Sequence, residues 1–113
     1  MIGISWNCRG LGNPRTVLAL CEINKSRKPD FIFFIETLVH SAQVEKLKSK
    51  LGFEGAIYVD RVGRGGGLTF LWRKTGMFSL LSYSQSHIDM EVSEEDGLRW
   101  RVTGFYGFPD RSQ

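Results

Sequence analysis

The chain has 113 residues, 42% of them hydrophobic and 24% charged, which suits one domain with a modest core. A net charge of +3, from 15 Lys and Arg against 12 Asp and Glu, fits a polyanion-binding protein but excludes a histone-like polybasic tract. Two cysteines, Cys8 and Cys21, are too few and too far apart for a disulfide framework or a zinc ribbon. Neither a basic leader nor a run of about 18 apolar residues is present, so no signal peptide, transmembrane segment or membrane partner is expected. The expectation is an intracellular chain of the nucleus or cytoplasm.

In chain order, Ile2, Ile4, Trp6 and Cys8 alternate with Gly3, Ser5 and Asn7. That period predicts a strand with one bulky face and one small, polar face. Asn13 followed by Pro14 is a helix entry, with Val17, Leu20 and Cys21 at helical spacing and Lys25 to Pro29 as the stop. Phe31 to Ile35 is a continuous apolar run between Asp30 and Glu36, which predicts a strand covered on both faces. Ser41 is expected to cap a second helix carrying Val44, Leu47 and Leu51, with Gly52 as its terminator. From residue 53 the period changes to that of strands, at 56–60, 67–73, 77–83, 87–92 and 98–106, with Ser93 to Gly97 as an acidic hairpin tip. The expected architecture is α/β (α+β): one mixed sheet of about six or seven strands with two helices on one face.

The first two strands, joined by a helix, should run parallel, so Asn7 and Glu36 should emerge at the same sheet edge. Ligands commonly bind at that edge in α/β sheets. Glu36, ending a buried run, is a hard-cation ligand candidate, since Mg²⁺ is often held by only one or two carboxylates with water and phosphate. The plainer alternative is that Glu36 faces solvent and Asn7 closes a turn.

The motifs WNCRG at 6–10, IET at 35–37, GGGLTFLWR at 65–73, HID at 87–89 and WRVTGFYGFP at 100–109 stand in an informative order. Together they resemble the amino-terminal half of the endonuclease/exonuclease/phosphatase superfamily. The nearest likeness is to the apurinic-type endonuclease domain of plant non-long-terminal-repeat (LINE-type) retrotransposons. The resemblance implies half of a four-layer α/β sandwich, with residues 1–113 as the amino-terminal half, truncated after the third motif. It implies Mg²⁺-assisted hydrolysis of a phosphodiester in nucleic acid, DNA in the complete domain. Asn7 matches the asparagine that orients the phosphate, Glu36 the metal-ligand glutamate, and Tyr106 the tyrosine that contacts the scissile phosphate. Their polar atoms should lie within about 8 Å of one another, a span that one hydrated Mg²⁺ and one phosphate could bridge.

The resemblance also implies a second half, bringing an Asp and Asn pair and a late Asp and His pair. His40 and His87, the chain's histidines, both precede Tyr106, so the expected protein is catalytically incomplete. The alternatives are a non-catalytic nucleic-acid-binding half-domain or a non-functional pseudogene product. Self-association, or pairing with a second half, is a further expectation. His87 and Asp89 share one strand face and form a second candidate acid/base pair, with a structural role as the plainer reading. Gly63 to Gly67 lacks the phosphate-loop pattern and is expected to be a hairpin connection. Arg9, Arg61, Arg64, Arg73, Arg99 and Arg101 are candidate backbone contacts to nucleic acid, or solvated strand-end charges.

Overall fold

A computed structural model describes residues 1–8, 13–35, 41–60 and 67–105. Their order is β1 (Gly3–Asn7), α1 (Pro14–Arg27), β2 (Phe31–Ile35), α2 (Ser41–Leu51), β3 (Gly55–Val59), β4 (Leu68–Trp72), β5 (Phe78–Tyr83), β6 (His87–Ser93) and β7 (Arg99–Phe105). Local chemistry accounts for the boundaries of α1. Asn13 Oδ1 accepts from the Arg15 N–H at 2.9 Å, Pro14 takes the first turn, and Lys28 closes the helix in the left-handed region. The role of the Ser41 side chain lies outside the description.

The fold is α+β, with two helices and seven strands among the described residues, but the single continuous sheet expected from the spacing is two there. One has the order β1-β2-β4-β3 and the other is β5-β6-β7. Within the first, β1 and β2 are parallel, with Asn7 beside Ile35, while β4 runs antiparallel to both β2 and β3. The second sheet is antiparallel throughout. The division follows from burial. β2 and β4 are apolar on both faces, so a helix layer on one side leaves the other requiring a cover. Residues 73–77, with Gly76 at φ 95°, turn β5 over the first sheet instead of alongside it. Phe78 then stacks on Trp72, with ring centroids 6.2 Å apart.

Two cores result. Leu20 of α1 and Val44, Leu47 and Leu51 of α2 pack on Ile32, Phe34 and Leu71, putting both helices on one face of the first sheet. On its other face Phe33, Phe70 and Leu68 meet Phe78, Ile88, Met90 and Val92. The second face of the first sheet is therefore not left bare. The β5–β7 sheet supplies the cover, and Trp100 and Val102 pack against its core half-buried.

Candidate functional site

Asn7 is the last residue of β1, and its side chain is exposed. The small face it shares with Gly3 and Ser5 turns away from the helices, because Ile4 and Trp6 are the residues that pack in the helix-side core. Just beyond it the chain is pinned to β2: the Cys8 N–H donates to the Ile35 carbonyl at 3.1 Å and the Cys8 thiol to the same oxygen at 3.3 Å. Glu36 and Tyr106 both lie outside the described residues. Their immediate predecessors, Ile35 and Phe105, end β2 and β7.

The direction of β7 over the first sheet follows from two contacts. Trp100, near its start, lies 6.4 Å from the Phe31 ring at the start of β2. Gly104, near its end, faces Phe33 so closely that a Cβ there would stand 2.6 Å from three ring atoms. The chain passes from Phe31 to Phe33 as it passes from Trp100 to Gly104, so β7 runs in the same sense as β2. The carboxyl ends of β1, β2 and β7 thus emerge at one end of the sandwich. A cleft of about 440 Å³ lies between β1 and β7, walled by Phe31, Phe33, Trp100 and Phe105 with the small residues Gly3 and Ser5.

His87 pairs with Phe105 and so begins β6 at this same end. Its side chain and that of Asp89 stand on the outer face of the β5–β7 sheet, since Ile88, Met90 and Val92 fill the inner core. Asp89 is 2% exposed, although among the described residues no layer covers that face: Ser82, Arg101 and Thr103 surround its carboxylate. Arg101 Nε donates to both carboxylate oxygens at 2.9 Å, its Nη2 also donates to Oδ2, and Thr103 Oγ1 donates to Oδ1 at 3.0 Å. The hydrogen bonds from Arg101 hold the Asp89 carboxyl below its ordinary pKa against a smaller upward push from desolvation. Thr103, the Arg101 charge and Ser82 assist. Asp89 in turn raises the pKa of Arg101. Ser82 Oγ bridges the pair, 3.0 Å from His87 Nε2 and 3.5 Å from Asp89 Oδ2, while Ser84 Oγ lies 2.6 Å from His87 Nδ1.

Counting outward from the expected tip, Ser93 to Gly97, sets Asp89 opposite Arg101, whereas the structure places the tip one residue later. A tip at residues 94–98 sets Ser93 beside Arg99, and the same register brings Asp89 opposite Thr103 with Arg101 next on that face. Of the six candidate arginines, Arg9, Arg61 and Arg64 lie outside the described residues. Arg73 is occupied structurally, donating to the Pro29 carbonyl at 3.0 Å, the Leu51 carbonyl at 3.4 Å and Asn24 Oδ1 at 2.6 Å, with its guanidinium 4.4 Å over the Phe53 ring. Among the described residues no three His, Cys, Asp or Glu side chains gather into a metal-holding cluster, and Asp89 has its oxygens engaged. The donor chemistry of an Asn amide oxygen beside a Glu carboxylate suits a hard cation, but Glu36 is outside the description. No described helix is long and apolar enough to cross a membrane.

A sandwich with helices on one side of its first sheet and three strand ends gathered at one edge defines an α/β-sandwich protein, with Asn7 at that edge. The chain belongs to the endonuclease/exonuclease/phosphatase family, whose model matches residues 4–112. Members of that family are generally metal-dependent. Its fold is similar to the catalytic domain of human Nocturnin with bound sulfate, at TM-score 0.63 and 12% identity over 87% of this chain and 47% of that one. It is also similar to TDP2 from C. elegans, at TM-score 0.60 and 19% identity over 96% and 36% of the two chains. The AP endonuclease LMAP from Leishmania major matches at TM-score 0.54 and 18% identity over 90% and 38%. The chain therefore spans less than half the length of these structures. Among curated proteins none matches it.

Proposed function

We propose that the chain is the amino-terminal part of an Mg²⁺-dependent phosphodiesterase that acts on DNA. In this reading Asn7, Glu36 and Tyr106 are its share of the phosphate site. The observation that carries the reading is the meeting of the carboxyl ends of β1, β2 and β7 at one end of the sandwich. In it the Asn7 amide orients a phosphate oxygen, the Tyr106 hydroxyl donates to another, and Glu36 is the carboxylate that would hold the cation. The cation, when bound, supplies charge stabilisation at the phosphoryl oxygens. His87 and Asp89 stay outside the reaction: with its oxygens engaged by Arg101 and Thr103, Asp89 is a cross-strand tie.

Retroelement origin, of the plant LINE type, accompanies this reading on the strength of the sequence motifs, with the nucleus or cytoplasm as the compartment. The chain by itself is taken to be catalytically incomplete, because the family's late Asp and His pair has no counterpart after Tyr106. Salt-sensitive DNA binding without turnover is the expected behaviour.

The test is fluorescence anisotropy on an abasic duplex with and without Mg²⁺, alongside nicking of supercoiled plasmid. Binding that weakens in Asn7→Ala and Glu36→Ala, with no nicking by any of the three proteins, is expected. Efficient nicking abolished by Glu36→Ala would overturn the claim of incompleteness. Binding indifferent to both substitutions would overturn the site.

A further inference from the structure

We propose that a basic pocket at the carboxyl end of α1 is a second contact for the nucleic-acid backbone, with Lys28 as its positioned cation. The inference uses none of Asn7, Glu36 and Tyr106 and stands apart from the phosphodiesterase reading. The pocket has a volume of about 350 Å³ and is lined by Asn24, Lys25, Lys28 and Arg73. It lies at the opposite end of the first sheet from Asn7, since Lys28 precedes β2, Arg73 follows β4, and Phe31 pairs with Trp72 between them. From Phe31 to Ile35, the partner of Asn7, the strand advances about 13 Å. The turns at this end, 28–30, 52–54 and 73–77, all lie within the described residues.

The pocket has a fixed floor. Asn24 Nδ2 donates to the Leu51 carbonyl at 3.0 Å, and Asn24 Oδ1 accepts from Arg73 Nη2 at 2.6 Å. Arg73 Nε donates to the Pro29 carbonyl at 3.0 Å. These bonds tie the ends of both helices to the end of β4 and hold the Arg73 charge in place. Lys28 supplies a second, independent observation. Among the described residues it is the one non-glycine with positive φ, at φ 47° and ψ 58°. Helices commonly close in this conformation with glycine, because a Cβ is crowded there. A lysine therefore carries a conformational cost that glycine would not, and strained residues of this kind gather where a side chain has a task.

Offsetting the helix dipoles does not account for the charge. Each helix end presents about half a negative charge, so α1 and α2 together present about one. Lys25, Arg27, Lys28, Lys50 and Arg73 stand there with no ion pair among the described residues, while Lys48 is taken by Glu45 at 2.9 Å. Asp30 and Glu54 are the nearby acids, accepting from the Ile2 and Thr75 N–H groups at 2.8 Å, and the helix side of this end stays positive with both counted. The acidic hairpin tip belongs to the other sheet, where Lys74 meets Glu95 at 3.8 Å. Three cations and an amide line the pocket, with no apolar side chain to seat a lipid chain or stack a base. That lining suits a row of phosphodiester oxygens, which duplex DNA presents at about one charge per 1.7 Å of axis, and it reads no sequence.

Fluorescence anisotropy on a labelled duplex over a salt series, with urea midpoints on the same proteins, tests the proposal. Lys28→Gly should raise the urea midpoint by relieving the left-handed backbone, yet bind more weakly, with the slope of log affinity against log salt reduced by about 1. Lys28→Arg should keep the wild-type slope, and Lys25→Gln added to Lys28→Gly should reduce it by about 2. Lys46, exposed on α2 but not lining the pocket, is the control, and Lys46→Gln should leave the slope unchanged. The comparison is repeated in an Asn7→Ala background, where the same reduction is expected with the proposed phosphate site disabled. A wild type that does not bind the duplex, a wild-type slope in Lys28→Gly in either background, a lowered midpoint in that variant, or an equal loss in Lys46→Gln would each overturn the proposal. Tighter binding to phosphatidylserine vesicles than to the duplex, lost in the same variants, would overturn it in favour of a membrane surface.

Discussion

Replacing Gly104 with alanine probes the contact that aligns β7 with β2, and two physical effects of opposite sign meet there. Its backbone lies outside the left-handed region, so alanine is conformationally tolerated. Restricting the unfolded chain would then stabilise the protein by about 0.4–1 kcal/mol. Against this, the new Cβ would sit 2.6 Å from Cγ, Cδ1 and Cε1 of Phe33, a distance at which something must move. Phe33 is buried and is backed by Phe70 at 6.4 Å, so the ring has little room to retreat from β7 into the core. Overpacking of this kind costs about 1–3 kcal/mol, and the net expectation is destabilisation by about 1–2 kcal/mol. In urea, with a slope of about 1–3 kcal/mol per molar, the midpoint should fall by on the order of 1 M. Phe33→Leu should relieve the clash, so the double-mutant cycle should show favourable coupling between the two changes. A neutral or stabilising Gly104→Ala, or strict additivity with Phe33→Leu, would refute the stacking of β7 on β2 and with it the meeting of the three strand ends.

Arg73 joins the carboxyl ends of both helices, so Arg73→Lys, which keeps the charge but loses the planar fork, should cost about 2–3 kcal/mol by urea titration; an unchanged midpoint would show those bonds to be idle. Thr69 is fully buried on β4 with its hydroxyl unpartnered among the described residues, so Thr69→Val should stabilise the protein by about 1 kcal/mol in the same assay. The folded pKa of Asp89 lies below its ordinary value of 3.8. The carboxylate's contribution to stability is therefore complete above that value and is lost as pH falls through the depressed folded value. Urea midpoints taken from about pH 5 downward should accordingly fall less steeply in Asp89→Asn than in the wild type, and parallel curves would contradict the assignment.

The parts of the fold legible from sequence were those fixed by local chemistry. Asn13 and Pro14 mark the start of α1, and the run Phe31–Ile35 defines β2 to the residue. The five later strands fall within a residue or so of their expected places, because glycines and polar turns punctuate a period of two. Layering was not legible in the same way. A strand covered by helix and sheet reads the same as one covered by helices on both sides, so the burial of β2 and β4 did not say which element would supply the second face. That choice depends on the turn at residues 73–77 and on the stacking of Phe78 over Trp72, both tertiary facts. Once β5 folds over, β6 and β7 follow by hairpin register, and the single sheet becomes two.

The same distinction governs the site. Parallel pairing of β1 and β2 was deducible from a helical crossover, and it suffices to bring Asn7 beside Ile35. The direction of β7 was not deducible, because antiparallel neighbours alternate and a strand's sense relative to another sheet depends on how many turns intervene and where the chain changes layer. Three antiparallel reversals, from β4 through β5 and β6 to β7, return the chain to the sense of β2 only because β4 itself runs opposite to β2. The Phe31 to Trp100 and Phe33 to Gly104 contacts show that result in space. Asp89 illustrates the reverse case. Its place on a strand face was legible and invited an acid/base role, yet the carboxylate is committed to Arg101 and Thr103 on the neighbouring strand. A buried acid whose lone pairs are already taken by a guanidinium is stabilised in its ionised form, which makes it a poor proton acceptor at neutral pH and a good fastening between strands.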